Sequence, residues 1–536
     1  MAEITSVILL IIILIILVIP GIFLAYSFFV DRNQKRHSVL NNYPVVGRLR
    51  YLFENMGPEL RQYLFTGDND GKPFSRKDYM DIVLPAKYRK RMVSFGSKRD
   101  FNEPGYFIQN SMFPKLTTEL AISKEHTISS FVYHIDKEYL FSRKEHRQET
   151  DYDPFLLDEE HEVVIGESTR NPFRVKGIVG MGGMSYGALG NRAISALSTG
   201  LARAGGTWMN TGEGGISDYH LEGNVDLIMQ IGPGLFGVRT KEGEFSWEEL
   251  KRKSALEPVK AFELKLAQGA KTRGGHVEAR KVNPEVARMR NIEPWQSVDS
   301  PNRFKEFDDV YSMLDFIEKI RDVSGLPVGI KIVIGQVKDV RNLAKAIKET
   351  GISPDFISID GGEGGTGASF QELADSVGFP VRSAIPILHE ALVEEGVRDQ
   401  LKIIASGKLF TPDKVAIALA LGADLVQVAR AFMITVGCIM AQVCHTNNCP
   451  VGVATTDPKL QEALYVEEKS YRVTNFIVAM REGLFNIAAA TGLEAPTQIT
   501  DKQVSYKDVH DVIYENHLNT NKEKSVLGQD SEGRET

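Results

Sequence analysis

Cysteine is almost missing from this chain of 536 residues: there are three, and none precedes Cys438. So few thiols cannot build a disulfide framework, and their odd number and tight grouping point to thiolate ligands in a reducing compartment. A positive surplus is missing too. Lys and Arg number 63 against 70 Asp and Glu, a formal net charge of −7. No global basic field exists to hold nucleic acid by counterion release, which excludes a nucleic-acid role from the leading readings. Charge of either sign is absent from residues 4–30, a run of 27 dominated by Ile, Leu and Val. The rest is ordinary for a folded protein, with 43% apolar and 25% charged residues overall and ample material for a large core.

At 1.5 Å per residue the uncharged run exceeds a hydrocarbon core of roughly 30 Å. A signal peptide would have a basic start, a shorter apolar run and a small-residue cleavage site, whereas this chain opens Met1-Ala2-Glu3. Arg32, Lys35 and Arg36 follow the run and no Lys or Arg precedes it. The expectation is a single-pass anchor in the cell membrane with the body on the cytoplasmic side. The organisation expected is residues 1–30 as transmembrane anchor, 31–165 as a smaller mixed N-terminal region, 166–495 as the main domain and 496–536 as a polar tail. The last part of that tail, 519–536, has almost no large apolar residues and is expected to be disordered.

From about Phe173 short apolar runs alternate with helical patterns. Strands are expected at 175–179, 207–210, 227–231, 262–267, 328–334, 356–360, 402–405 and 425–429. Helices are expected at 189–203, 247–253, 310–323, 337–348 and 412–421. Eight strands with intervening helices predict an α/β fold, a parallel (β/α)8 TIM barrel preceded by one transmembrane helix and the smaller N-terminal region. The connection from 267 to 310 is too long for a simple loop, and such loops are usually functional.

Glycine and polar residues gather where the strands end: Gly182-Gly183-Met184-Ser185-Tyr186-Gly187, Asn210-Thr211-Gly212-Glu213-Gly214-Gly215, Gly361-Gly362-Glu363-Gly364-Gly365-Thr366-Gly367 and Ser406-Gly407-Lys408. Glycine lets backbone N–H groups approach an anion, and the loops after the seventh and eighth strands, Ser406-Gly407-Lys408 and Ala429-Arg430-Ala431, are where barrels commonly hold a cofactor phosphate. Lys331 sits mid-strand among apolar neighbours, where a charge needs a partner: an electron-rich cofactor edge or a barrel carboxylate. The cysteines read Cys438-x5-Cys444-x4-Cys449-Pro450 within 437–455. An iron–sulfur cluster, a zinc ion with His445 as fourth ligand, and buried unliganded thiols are the three readings of that spacing.

Residues 182–458 resemble the flavin-binding synthase domain of glutamate synthase. The resemblance rests on Gly183-Met184-Ser185-Tyr186-Gly187-Ala188-Leu189, Asn210-Thr211-Gly212-Glu213-Gly214-Gly215, Glu263-Leu264-Lys265-Leu266-Ala267-Gln268-Gly269-Ala270-Lys271, Gly364-Gly365-Thr366-Gly367-Ala368-Ser369 and the run 437–455. It implies a (β/α)8 barrel with FMN and a 3Fe-4S cluster, reducing the imine of 2-oxoglutarate and ammonia to L-glutamate. It implies Cys438, Cys444 and Cys449 as cluster ligands and Met184, Ser185, Gln230, Lys331, Gly364, Gly365, Ser406, Gly407, Lys408, Ala429 and Arg430 as flavin-binding positions. Lys271 and Arg290 look like matches for cationic ligands of the dicarboxylate, with His276 nearby, and Glu213 and Lys271 are the catalytic candidates.

Two departures touch the substrate side. After Lys271 the chain reads Thr272-Arg273-Gly274-Gly275-His276, one residue shorter than the usual Pro-Gly-Glu-Gly-Gly form, and Gly362-Glu363 replaces the customary His-Asp. With Ala2 as the second residue, no N-terminal cysteine nucleophile is expected to hydrolyse glutamine. Nitrogen is expected as free ammonia, as an amine, or from a separate amidotransferase subunit. No second glycine-rich βαβ unit is evident, so ferredoxin or another external electron donor is expected. The alternatives are a related FMN and iron–sulfur oxidoreductase acting on another amine or forming an N-substituted glutamate, an electron-transfer subunit of a larger complex, and a zinc-binding scaffold.

Overall fold

The computed structural model describes residues 2–515 except 270, 272 and 273. Two compact units divide between Met80 and Asp81. The first opens with a helix over Ala2–Asn33, followed by Ser38–Asn42, Leu49–Leu60 and a π-helical turn, Arg61–Phe65. Among the described residues one helical stretch, Ile13–Asn33, is long and apolar enough to cross a membrane.

The second unit is built on a closed barrel of eight parallel strands: β1 (Val179–Met181), β2 (Trp208–Asn210), β3 (Asp226–Ile231), β4 (Val259–Lys265), β5 (Val328–Ile332), β6 (Phe356–Asp360), β7 (Lys402–Ser406) and β8 (Leu425–Val428). β8 pairs with β1 and closes the ring. Most strand residues are buried, as a parallel sheet covered by helices requires. Large residues fill the interior only where a neighbour gives way. A Cβ on Gly180 would lie 2.1 Å from the ring of the fully buried Trp208, so the β1–β2 contact depends on glycine there.

The covering helices start and stop on local chemistry. Val310–Ser324 opens on Asp309, whose carboxylate accepts the Ser312 N–H at 2.7 Å, and ends at Gly325 with φ 71°. The helices after β5, β6 and β7 are Val337–Thr350, Val381–Glu395 and Pro412–Ala420. The long final helix, Val466–Ala490, packs along Asn191–Ala204.

All eight expected strands overlap the observed ones, the first at Val179 alone. The first is displaced: Phe173–Val175 pairs antiparallel with Val163–Ile165, and β1 begins only at Val179. The interruption is Gly177, whose N–H donates to the Gly206 carbonyl at 2.6 Å while its Cα lies against the buried Arg481 guanidinium. Arg481 in turn donates to the carbonyls of Pro154 at 3.2 Å, Ala204 at 3.0 Å and Gly205 at 2.5 Å. Burial without a carboxylate partner pulls its pKa down to about 9.

Ahead of the barrel, a hairpin of Ile128–Glu138 and Arg143–Tyr152 is fastened to the final helix through Asn475. Its side-chain carbonyl accepts from Ser130 and Tyr152 hydroxyls, and its amide donates to Phe131 O at 2.9 Å. Within the segment expected as a polar tail, Val504–Lys507 pairs with Gly105–Ile108 and with Ile513–Glu515. Val504 is buried, so this stretch carries its own apolar anchor despite its polar composition. The expectation for 519–536 lies outside the described residues.

Candidate active site

Alternation along β4 points Glu263 and Lys265 the same way, and both are buried. Glu263 Oε2 accepts from Asn210 Nδ2 at 2.8 Å and Gln230 Nε2 at 2.5 Å, which ties together the C-terminal ends of β2, β3 and β4. Two residues on, Lys265 Nζ reaches Glu213 Oε1 at 2.8 Å, and Lys271 Nζ reaches the same oxygen at 3.1 Å. Burial by itself would push the Glu213 carboxyl up, but the two ammoniums outweigh it and hold it well below the usual carboxylate range. Lys265 is moved the other way: burial brings it down to about 8 against the attraction of Glu213.

Arg290 joins this group from the long connection after β4. Asn283 accepts the Val286 N–H at 2.8 Å and starts the short helix Pro284–Arg290, which ends at Arg290 with Asn291 in the left-handed region. The guanidinium is 2% exposed, donates to Tyr186 O at 3.2 Å, lies 5.2 Å from the Phe236 ring and leaves its Nε without a hydrogen-bond partner. A Cβ on Gly187 or Gly214 would lie 3.1 or 3.0 Å from Nη2, so the loops after β1 and β2 close on Arg290. Burial lowers its pKa to about 10, with Glu213 acting against that loss. Around Glu213 there are thus three cations, Lys265, Lys271 and Arg290, for one carboxylate.

His276 does not join them. It pairs with Val298–Asp299 in a two-stranded ribbon, its Nδ1 stands 2.8 Å from Asp299 and its Nε2 3.5 Å from Glu278, and Asp299 raises its pKa. Its neighbour Gly275 does reach the cluster: a Cβ there would stand 2.5 Å from Lys271 Nζ. The shortened turn at Thr272-Arg273 lies outside the described residues.

The remaining sequence candidates line the same end of the barrel. Met184 follows β1; its N–H donates to Asn210 O at 3.2 Å, and its carbonyl meets His220 Nε2 at 3.1 Å. The Ser217 N–H donates to His220 Nδ1, so Nε2 carries the proton, and burial keeps this imidazole neutral with a pKa of about 4. Ser185 N faces Gly212 closely enough that a Cβ there would come within 2.8 Å. Lys331 on β5 meets Asp360 at 3.4 Å, and Asp360 also accepts the Gly269 N–H at 2.9 Å. Gly364 packs on Gly269, and Gly365 lies against Arg430, whose Nη2 donates to Glu363 O at 2.6 Å. Ser406 accepts the Gly361 N–H at 2.8 Å, followed by Gly407 at φ 153° and Lys408 at φ 54°. Ala429 precedes the short helix Arg430–Thr435 and touches the turn at Gly182.

The three cysteines sit just past that helix. Cys438, Cys444 and Cys449 line one pocket with Met433, Val451 and Val453, and His445 is not in its wall. Burial, together with the neighbouring thiols, pushes Cys438 up to about 11. Among the described residues no three His, Cys, Asp or Glu side chains converge on a single metal ion. Lys281, 5% exposed, bridges this segment to the β1 loop by donating to Ala188 O and Ala454 O, each at 3.1 Å.

Lys265, Glu263, Asp360, Lys281 and Gln427 are additions that the sequence reading did not single out. The signal that marked Lys331, a charge inside an apolar strand, is equally present in Glu263-Leu264-Lys265-Leu266.

A closed parallel barrel with buried lysines, arginine and carboxylates gathered at its C-terminal mouth, and a three-cysteine segment after its last strand, defines the synthase-type barrel. The family model described as the conserved region in glutamate synthase matches residues 116–494. The chain belongs to the glutamate synthase family. It is 58% identical over 492 residues to the glutamate synthase large subunit-like protein YerD of Bacillus subtilis (strain 168), covering 92% of this chain and 94% of that one. It is 33% identical over 315 residues to the archaeal-type glutamate synthase (NADPH) of Thermotoga maritima, covering 58% of this chain and 59% of the relative's length. It is 32% identical over 362 residues to the ferredoxin-dependent glutamate synthase of Cyanidium caldarium, 63% of this chain and 22% of that protein.

Proposed function

We propose that this protein is a glutamate synthase-type oxidoreductase, tethered to the cell membrane with its body in the cytoplasm, that reduces the imine of 2-oxoglutarate and ammonia to L-glutamate. The observation that carries the reading is the Glu213, Lys265, Lys271 and Arg290 cluster, a buried site with more positive than negative charge at the mouth of a family barrel. A dicarboxylate substrate supplies the anions such a site calls for.

FMN and a 3Fe-4S cluster, when bound, supply hydride and one-electron chemistry. The residues fit both. Gln427 on β8 is 1% exposed with neither its side-chain nitrogen nor its oxygen partnered, and it lies beside the Gly182 turn. The polar edge of a flavin presents the donor and acceptor that this amide lacks. Met184, Ser185, Gly364, Gly365, Ser406, Gly407, Lys408, Ala429 and Arg430 surround that end, with Gln230 and Lys331 within the barrel. Three thiols that line one pocket offer the sulfur ligands a polynuclear cluster takes, whereas structural zinc usually takes four ligands and His445 is not in the pocket wall.

Arg290 and Lys271 bind the two carboxylates and fix the carbonyl end of the substrate. Glu213 stays ionised and orients both lysines rather than donating a proton. Burial lowers Lys265 to about 8, so its proton is exchangeable near neutral pH. Electrons come from ferredoxin or another external donor, and ammonia comes free or from a separate amidotransferase subunit.

The test uses the full chain, purified anaerobically in detergent and loaded with flavin and iron. Given reduced ferredoxin or a chemical reductant, 2-oxoglutarate and ammonium, it should form L-glutamate without glutamine. No glutamate from fully loaded protein rejects the substrate assignment.

A further inference from the structure

The apolar surface on residues 49–65 has no role in the chemistry above. Leu49, Leu52, Phe53, Met56, Leu60, Tyr63 and Leu64 recur at the spacing of one helical face. The helix Leu49–Leu60 buries none of its residues. Phe53 is 63%, Leu64 69% and Phe65 76% exposed, an arrangement a water-facing helix does not sustain. Arg50 and Glu54, paired at 2.5 Å, occupy the other face.

Where this helix begins is fixed by a second observation. Asp31, in the last turn of Ala2–Asn33 and 1% exposed, accepts from Arg48 Nε at 2.9 Å, Arg48 Nη2 at 2.7 Å and the Val45 N–H at 2.9 Å. Arg48 immediately precedes Leu49. The clamp therefore holds the start of the amphipathic helix beside the end of the long apolar helix, where charges first follow the uncharged run. Residues 32–65 carry Arg32, Lys35, Arg36, Arg48, Arg50 and Arg61 against Glu54 and Glu59, a balance that complements anionic headgroups.

We propose that residues 49–65 lie in the membrane–water interface, with the face of Leu52, Phe53 and Leu64 among the upper acyl chains and the Asp31–Arg48 clamp setting their depth. This rests on reading residues 4–30 as a membrane span. The occupant of the face is the bilayer itself. A helix of this kind sinks about 5–10 Å into the headgroup boundary and holds its orientation there.

The full chain, reconstituted into phosphatidylcholine–phosphatidylglycerol vesicles, tests this with two single variants, Phe53→Trp and Leu17→Trp, each read as the emission added to that of the unsubstituted protein. Phe53→Trp should lose emission when the lipids are brominated near the headgroup end of the acyl chain, and much less when they are brominated at the far end. Leu17→Trp should show the reverse. Leu64→Trp should follow Phe53→Trp, which guards against a local effect of one substitution. If Leu17→Trp is quenched while Phe53→Trp and Leu64→Trp are untouched, the span stands and the interfacial helix is overturned, its face then belonging to a protein partner or a second copy. If Leu17→Trp is not quenched at any depth, the membrane reading fails and this inference falls with it.

Discussion

Lys265 and Glu213 meet at 2.8 Å across the barrel mouth, one from inside β4 and the other from the loop after β2, and Lys271 shares the same carboxylate oxygen at 3.1 Å. Replacing Lys265 by Met keeps most of the volume and deletes one of the three cations around Glu213. Glu213 keeps Lys271 beside it, so the loss falls on the positive surplus offered to the substrate, and kcat/KM for glutamate formation should fall about 100-fold, roughly 2.7 kcal/mol. Flavin content, read from its absorption, should stay near normal. A variant with unchanged kcat/KM would remove Lys265 from the site.

The same lysine sets a pH dependence. Its pKa is depressed to about 8, so the cation is present below that pH and lost above it. A weaker dicarboxylate site should follow, with kcat/KM for 2-oxoglutarate declining as pH rises through about 8. Lys265→Arg should retain the charge and shift the decline upward. A profile that is flat through this range in both proteins contradicts the assignment.

In the proposed site Arg290 offers its fork to the substrate, and its Nε has no hydrogen-bond partner. Arg290→Gln should raise KM for 2-oxoglutarate by about 10- to 100-fold, the worth of one or two charge-assisted hydrogen bonds, with a smaller effect on kcat. Saturation kinetics at fixed ammonium decides this, since a pure kcat loss would place Arg290 outside substrate binding.

Cys444→Ser should separate the two proposed prosthetic groups. The thiol lines the cysteine pocket, so iron and its visible absorption should be lost while FMN remains. Iron analysis and a flavin extraction on one anaerobic preparation give both readings. Retention of a full iron complement would reject the ligand set.

Arg481→Met tests the scaffold. The guanidinium serves three carbonyls, and methionine leaves buried acceptors unpaired at about 1–3 kcal/mol for each one not rescued by water. The melting temperature should drop by several degrees, followed by thermal unfolding of the loaded protein. An unchanged melting temperature would mean those carbonyls find other partners.

Much of this architecture was legible because barrel strands are short apolar runs with glycine at their ends, as 356–360 before Gly361-Gly362 shows. Position 177 shows the limit. The glycine itself does not say that Phe173–Val175 stops and β1 starts around it, because the Arg481 guanidinium packed against it comes from about 300 residues away in sequence. The site was legible where residue type alone was unusual, as with three clustered cysteines or Lys331 in a strand. His276 and Lys265 show the reverse. His276 stood near the expected substrate loop in sequence, but its ribbon with Asp299 takes the ring elsewhere, while Lys265, as visible in its strand as Lys331, meets Glu213 only across the closed barrel.

The reach of Arg481 also orders events during synthesis. One side chain joins Pro154, made before any barrel strand, to Ala204 and Gly205, made after the first, and it lies beyond the eighth. A nascent chain stopped at β8 has all eight strands but not the helix that packs against Asn191–Ala204, and that helix face and the three carbonyls remain open to water or to chaperones. Completion of the barrel's outer layer therefore waits on a helix made only after the last strand.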